Sequence, residues 1–305
     1  MFEYFLLFLA VVCFAGQFAF TKSYEQTVKS NLVNTLIMLV LTSFFGSLLF
    51  FVIGGFKVNF TWFSFVLALL FAVIMLPYFL LGIKALSLGS LAVYSVFMML
   101  GGMLVPFFYG IIFLKESITL TKVLGAILLT VFIVLQCFAQ KNDEQNNIEK
   151  SSRSKKGLFI IVCLLIFFIN GLTGVIAKAH EIGSNPVDET SFVTLYSALT
   201  LIMSLLALAT ILLLNKNNDK INLKPAFKLK PIFIAFLIGA SSYTGNFLSL
   251  IVAAKVPASV SFPIVSGGVI VLSSIVSRVI YKENVSKTEW ASVVGALISI
   301  VLFAI

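Results

Sequence analysis

Residues 58–83 read VNFTWFSFVLALLFAVIMLPYFLLGI, a run bounded by Lys57 and Lys84 with no charged residue between them. A helix rising 1.5 Å per residue needs roughly 20 such residues to cross the ~30 Å hydrocarbon core of a bilayer. An ionised side chain at the centre of a membrane helix costs about 2.5–3.5 kcal/mol, so charges mark where spans end. Working outward on that rule gives charge-free windows at 4–21, 30–56, 58–83, 85–114, 123–140, 157–177, 190–215, 231–254, 256–277 and 290–305. The windows 4–21, 123–140 and 290–305 are the shorter ones, and their helices are expected to be thin or to draw on their flanks. The runs lack the strict alternation of a barrel strand, and a helix satisfies every backbone N–H and C=O inside lipid. The sequence predicts an all-α membrane protein of ten transmembrane helices.

Composition agrees. Hydrophobic residues make up 60% of the 305 and charged ones 11%, against roughly 45–50% and about 25% in soluble domains. The formal charge of +9 comes from Lys and Arg scattered between apolar blocks. With no nucleic-acid motif beside them, they read as helix anchors rather than a nucleic-acid surface. Cys13, Cys137 and Cys163 all lie in apolar runs, so small core residues are expected rather than disulfides or a metal site. The first apolar run lacks a basic n-region and a small-residue cleavage site, so no cleavable signal peptide is expected.

Two connections are long. Residues 141–156 (KNDEQNNIEKSSRSKK) form a polar linker near the midpoint, and residues 215–230 form a basic one. Either is too short for a soluble domain. The midpoint position invites a search for a repeat. At an offset of 167, Leu114-Lys115-Glu116-Ser117-Ile118-Thr119 falls on Tyr281-Lys282-Glu283-Asn284-Val285-Ser286, and Gly101 falls on Gly268. At an offset of 156, Lys22 falls on Lys178. The chain therefore divides into a first five-helix repeat over 1–140, the linker 141–156, and a second repeat over 157–305. With five helices per half the second copy enters from the opposite face, which makes the repeats inverted. Secondary transporters commonly have this architecture.

On these residues the chain resembles EamA-like members of the drug/metabolite transporter superfamily. The resemblance rests on Ser90-Leu91-Ala92-Val93 with Leu114-Lys115-Glu116, and on Pro257-Ala258-Ser259-Val260 with Tyr281-Lys282-Glu283, where Tyr281 replaces the usual Leu. Gly16, and Gly171 or Gly174, supply a glycine in the first helix of each half. The resemblance implies a ten-helix carrier whose helices 1, 3, 4, 6, 8 and 9 line the cavity. Glu116 and Glu283 form the repeat's turn motif and have two readings: a cap on the following helix's N–H groups, or part of a gating ion pair.

No Asp, Glu, Lys or Arg lies deep inside any window, which disfavours proton coupling through a buried intramembrane acid. The polar candidates are uncharged. Ser242, Asn246 and Ser249 share one helical face beside Tyr243, Asn170 shares a face with Thr173, and Gln17 shares one with Thr21. Gln17, Asn170 and Asn246 are read either as cavity residues or as interhelical hydrogen-bonding groups. The resemblance adds Tyr78, Tyr94 and Ser261 to the cavity. Ser259, Ser266 and Ser273 read as a packing seam, the 32 Phe residues mostly as lipid-facing filler, and His180 as a surface loop residue. Gly101-Gly102 and Gly267-Gly268 sit near mid-span with Pro106 and Pro263 one turn away. They read either as hinges or as sites of close packing.

A secondary transporter of a small metabolite, amino acid or drug-like solute, working by alternating access, is the function these features predict. A lipid carrier or flippase is a variant of it. A membrane-embedded enzyme would need an intramembrane Ser/His or acidic set, and a partner subunit would need a reading domain. No enzyme activity, cofactor or metal is expected. The expected partners are a small-molecule substrate and the bilayer, with no nucleic acid, in a monomer or homodimer at the cell (inner) membrane. Sixteen Lys and Arg fall on one side of the ten-span topology and five on the other. The positive-inside rule then predicts cytoplasmic linkers and extracytoplasmic termini.

Overall fold

The computed structural model describes residues 2–28, 31–88, 91–144, 153–214, 223, 225–279 and 287–304. These form ten helices: α1 Phe2–Thr27, α2 Leu32–Ile53, α3 Trp62–Leu88, α4 Leu91–Ile112, α5 Leu120–Glu144, α6 Arg153–Glu181, α7 Glu189–Leu214, α8 Leu229–Ala253, α9 Ala258–Val279 and α10 Lys287–Ala304. No strand occurs among the described residues. Eight of the helices are long and apolar enough to cross a membrane, as befits a multi-pass membrane protein. The other two, α5 and α10, carry shorter apolar segments over Leu120–Leu135 and Trp290–Phe303. Helix α1 draws on the flanks of the 4–21 window, extending over 26 residues by including Glu3, Lys22 and Glu25 near its ends.

The connection between the halves is shorter than expected, because α5 continues to Glu144 and α6 begins at Arg153. Local chemistry sets other boundaries. Asn31 opens α2 by accepting the Asn34 N–H at 2.8 Å. After α2, Gly55 and Phe56 adopt φ of +67° and +61°, turning the chain back. Pro77, Pro106 and Pro263 lie inside α3, α4 and α9, where each removes one backbone hydrogen bond.

The main packing partners lie far apart in sequence. α1 packs on α8 and α9, α4 on α6 and α9, α3 on α6 and α7, α2 on α7 and α8, and α5 on α10. Buried apolar side chains form several clusters, the largest joining Leu7, Met103, Leu129, Ile270 and Phe303. Phenylalanine serves both inside and out: Phe5, Phe108 and Phe168 face outward while Phe50, Phe192 and Phe303 are buried.

Candidate transport path and its cross-tied end

Two helix crossings lie at the middle of the bundle. At the first, α4 meets α6 backbone to backbone: a Cβ at Gly101 would sit 2.1 Å from the Phe167 carbonyl oxygen, and one at Gly171 would sit 2.6 Å from the Gly101 oxygen. Asn170 donates from Nδ2 to the Met98 carbonyl oxygen at 2.7 Å, over the space left by Gly102. At the second, α1 meets α9, where a Cβ at Gly268 would sit 2.8 Å from the Val11 methyls. Gly267 is looser, with Ile300 of α10 at 3.2 Å. All four glycines therefore lie in crowded helix contacts, and Gly101 is where a side chain has least room.

The polar candidates fall into two groups. Tyr78 and Tyr94 share a hydrogen bond and pack around Cys163 where α3, α4 and α6 meet. On α6, Thr173 donates to the Asn170 carbonyl at 2.7 Å. The second group lies where α1 meets α8. Gly16 faces Ser241 there, and the half-buried Gln17, Ser242 and Asn246 occupy the same stretch of the two helices. Asn246 donates to the Ser242 carbonyl of its own helix at 2.8 Å.

Two candidates sit in packed interior. Tyr243 is buried between α2 and α7, its hydroxyl donating to Ser43 Oγ at 3.3 Å and its ring filling the space over Gly46. Ser261 is 7% exposed, in the first turn of α9. Burial of Tyr243 follows from the small Ser43 and Gly46 opposite, a feature invisible in the helix's own periodicity.

One end of the bundle is tied across the halves by polar groups. Lys115 at φ +55° turns the chain after α4, and the Glu116 carboxylate then lies over Gly110, where a Cβ would be 2.6 Å from Oε2. Glu116 accepts the Ala258 N–H at 2.7 Å and the Ser259 N–H at 2.8 Å. It caps α9, not the α5 that follows it in sequence. An anion on helix N–H groups is a charge-assisted bond that the helix dipole favours. Glu283 lies outside the described residues. Lys178, only 4% exposed, donates from Nζ to the carbonyl oxygens of Ala253 and, at 2.9 Å, Val256. The turn between α8 and α9 is thus held by a cation at one helix's C-terminus and an anion at the next helix's N-terminus. The carboxylate of Glu116 also acts electrostatically on Lys178.

At the same end, Asn59 donates from Nδ2 to Asp188 at 2.6 Å, and its backbone N–H donates to Ser191 Oγ at 2.9 Å. Asp188 caps α7 through the Ser191 N–H at 2.9 Å. Partial burial raises the Asp188 pKa, but hydrogen bonds from Thr190, Ser191 and Asn59 outweigh it and bring the carboxyl down to about 2.

His180 corrects the sequence reading outright. It is 0% exposed, with Nε2 3.0 Å from Ser64 Oγ and Nδ1 2.8 Å from Glu181 Oε1. Its ring stacks on Phe192 at 3.7 Å between centroids. Ser64 lies 116 residues away, so no spacing could reveal it. The adjacent Glu181 was the one visible hint. The row of Ser, His and Glu has the order of a hydrolytic triad, but Ser64 is also 0% exposed and accepts the Val187 N–H at 3.0 Å. A substrate carbonyl has no approach to that oxygen. Among the described residues, no group of three or more His, Cys, Asp or Glu could hold a metal.

No protein-family model and no curated protein matches this chain. In contrast, 28 chains of solved structures match it. One, a crystal structure described only as that of a protein, is 13% identical over 99% of this chain and 98% of its own, with a TM-score of 0.71. The likeness shows a shared fold.

Proposed function

We propose that this chain is a secondary transporter of small solutes, an EamA-like carrier built from two inverted five-helix repeats. The observation that carries the reading is a correspondence between the two mid-bundle crossings. Gly101 meets Phe167, and Gly268 meets Val11. The two glycines are 167 residues apart and their partners 156 apart, the offsets at which the sequence matches itself. Replacing each helix by the one five further along also carries the main contacts onto one another: α1–α8 becomes α6–α3, α1–α9 becomes α6–α4, and α2–α8 becomes α7–α3. The pairs α2–α7, α4–α9 and α5–α10 map onto themselves. A five-helix unit repeated with such exchange is inverted in the membrane, and the two inversions supply the inward- and outward-facing states of an alternating-access carrier.

The two polar groups then lie in corresponding places, one between α3, α4 and α6 and the other on α1 and α8, and we assign both to the solute path. The charge distribution supports an orientation with the linkers in the cytoplasm and the end tied by Glu116 and Lys178 outside. A cysteine introduced at Ser152 should accordingly resist an impermeant thiol reagent in intact cells, and ready labelling there would reverse the orientation. The function itself is tested by thermal stabilisation of the purified protein against a metabolite library, since a ligand at 100 times its Kd adds about 2.7 kcal/mol to native stability. A stabilising solute should then be taken up by proteoliposomes. Binding without uptake would refute the carrier reading.

A further inference from the structure

We propose that His180, with Ser64 and Glu181, forms a proton-binding site connected to the protein surface through the hydroxyl of Thr61. The argument is a count of hydrogens. Ser64 Oγ lies 3.0 Å from three groups: His180 Nε2, the Val187 N–H and Thr61 Oγ1. Thr61 Oγ1 accepts the Ser64 N–H at 3.2 Å and lies 3.1 Å from the Asn185 carbonyl oxygen. Hydroxyls donate one hydrogen each and accept on two lone pairs, and a neutral imidazole donates from one nitrogen only.

Two arrangements fit these contacts, the second filling all of them and the first leaving the Thr61–Asn185 pair without a hydrogen. In the first, His180 is neutral, Nδ1–H donates to the Glu181 carboxylate, Ser64 donates to Nε2, and Thr61 donates to Ser64. In the second, one proton has been added. Nδ1–H still faces Glu181, while Nε2–H now donates to Ser64, Ser64 donates to Thr61, and Thr61 donates to the Asn185 carbonyl. Ser64 accepts the Val187 N–H in both. The arrangements differ by one proton and two hydroxyl rotations, with every heavy atom in place. The added proton enters at Thr61, which lies at the surface beside the exposed Asn185, and a concerted shift along the two hydroxyls delivers it to Nε2.

The groups facing the ring are acidic or uncharged. Glu181, its side chain 7% exposed, is in contact, and Glu189 of α7 acts electrostatically on Glu181. Asp188 sits at the start of α7, and the face of Phe192 lies against the ring. On α3, Ser64 and the parallel ring of Phe63 face His180 and carry no charge. The nearby cation on α6, Lys178, directs its ammonium to the α8–α9 carbonyls instead. The site joins α6 to α3 and to the 183–188 connection at the end where Lys178 joins α6 to α8 and α9.

His180 is the chain's one histidine, so 15N-histidine labelling of untagged protein in bilayers gives a resonance pair free of background. Across the pH range in which the protein stays folded, both ring nitrogens should move together with a single midpoint. In Glu181→Gln that midpoint should fall by about one pH unit or more, a tenfold or greater loss of proton affinity, because a contacting carboxylate holds the cation. Ring shifts that stay constant across that range in folded wild-type protein would overturn the proposal whether or not the variant folds, as would an unchanged midpoint in a folded variant. The titration needs no substrate. A failed titration would leave the carrier reading intact, and failed transport would leave the titration readable.

Discussion

The two mid-bundle crossings occupy corresponding positions and differ in what they press against. Where α4 meets α6, Gly101 faces the Phe167 carbonyl and Gly171 faces Gly101, so backbone touches backbone, and Asn170 adds a bond to the Met98 carbonyl. Where α1 meets α9, Gly268 faces the methyl groups of Val11. A carbonyl oxygen in a helix cannot move without moving the helix, whereas a side chain can shift by a few tenths of an ångström. For the proposed carrier, the difference would make the α4–α6 crossing the pivot and the α1–α9 crossing the place where the halves slide.

The largest effect should come from Gly101→Ala. Forcing a methyl group against a backbone oxygen costs about 1–3 kcal/mol in overpacking, and thermal unfolding in detergent should show a clearly lowered Tm. An unchanged Tm would remove the pivot. Asn170→Ala should come next, losing an interhelical hydrogen bond worth about 0.6–1.7 kcal/mol in membrane proteins, read in the same melts. Gly268→Ala should cost less than about 1 kcal/mol, because up to ~1 kcal/mol gained in helix propensity offsets the push on Val11. Its effect should appear in turnover rather than in stability. A Gly268→Ala protein as unstable as Gly101→Ala would make the crossings equivalent and the distinction void.

A separate effect, useful as a control remote from both crossings, is acidification through Asp188. Its folded pKa of about 2 lies below the ordinary 3.8, so the cap's stabilisation is present above pH 3.8 and is lost as pH falls toward 2. Asp188→Asn should flatten that acid limb while leaving the Gly101 and Gly268 differences unchanged.

Much of this architecture is legible in the sequence because charge is so costly in lipid. The windows between charges locate all ten helices, and the offsets of 167 and 156 that align the halves also pair the two crossings. The departures share a cause. Lys178 reads as a helix-end residue, His180 as a loop residue and Glu116 as part of a turn, yet their partners are 75, 116 and 142 residues distant. Burial of a polar group depends on who sits opposite, and periodicity reports only which face a residue is on. The burial of Tyr243 has the same origin, since its partner Ser43 lies 200 residues earlier on α2.

The central claim, that the halves open the bundle to each face in turn, is tested most directly at Asn246. In a background without the native cysteines, Asn246→Cys should react with an impermeant thiol reagent from either face, measured separately in right-side-out and inside-out vesicles. Adding Glu116→Gln replaces a carboxylate that accepts two α9 N–H groups with an amide that can accept at one atom only. It should raise labelling from the Glu116 end and lower it from the opposite end. Reaction from neither face, or rates that rise at both ends together, would contradict alternating access.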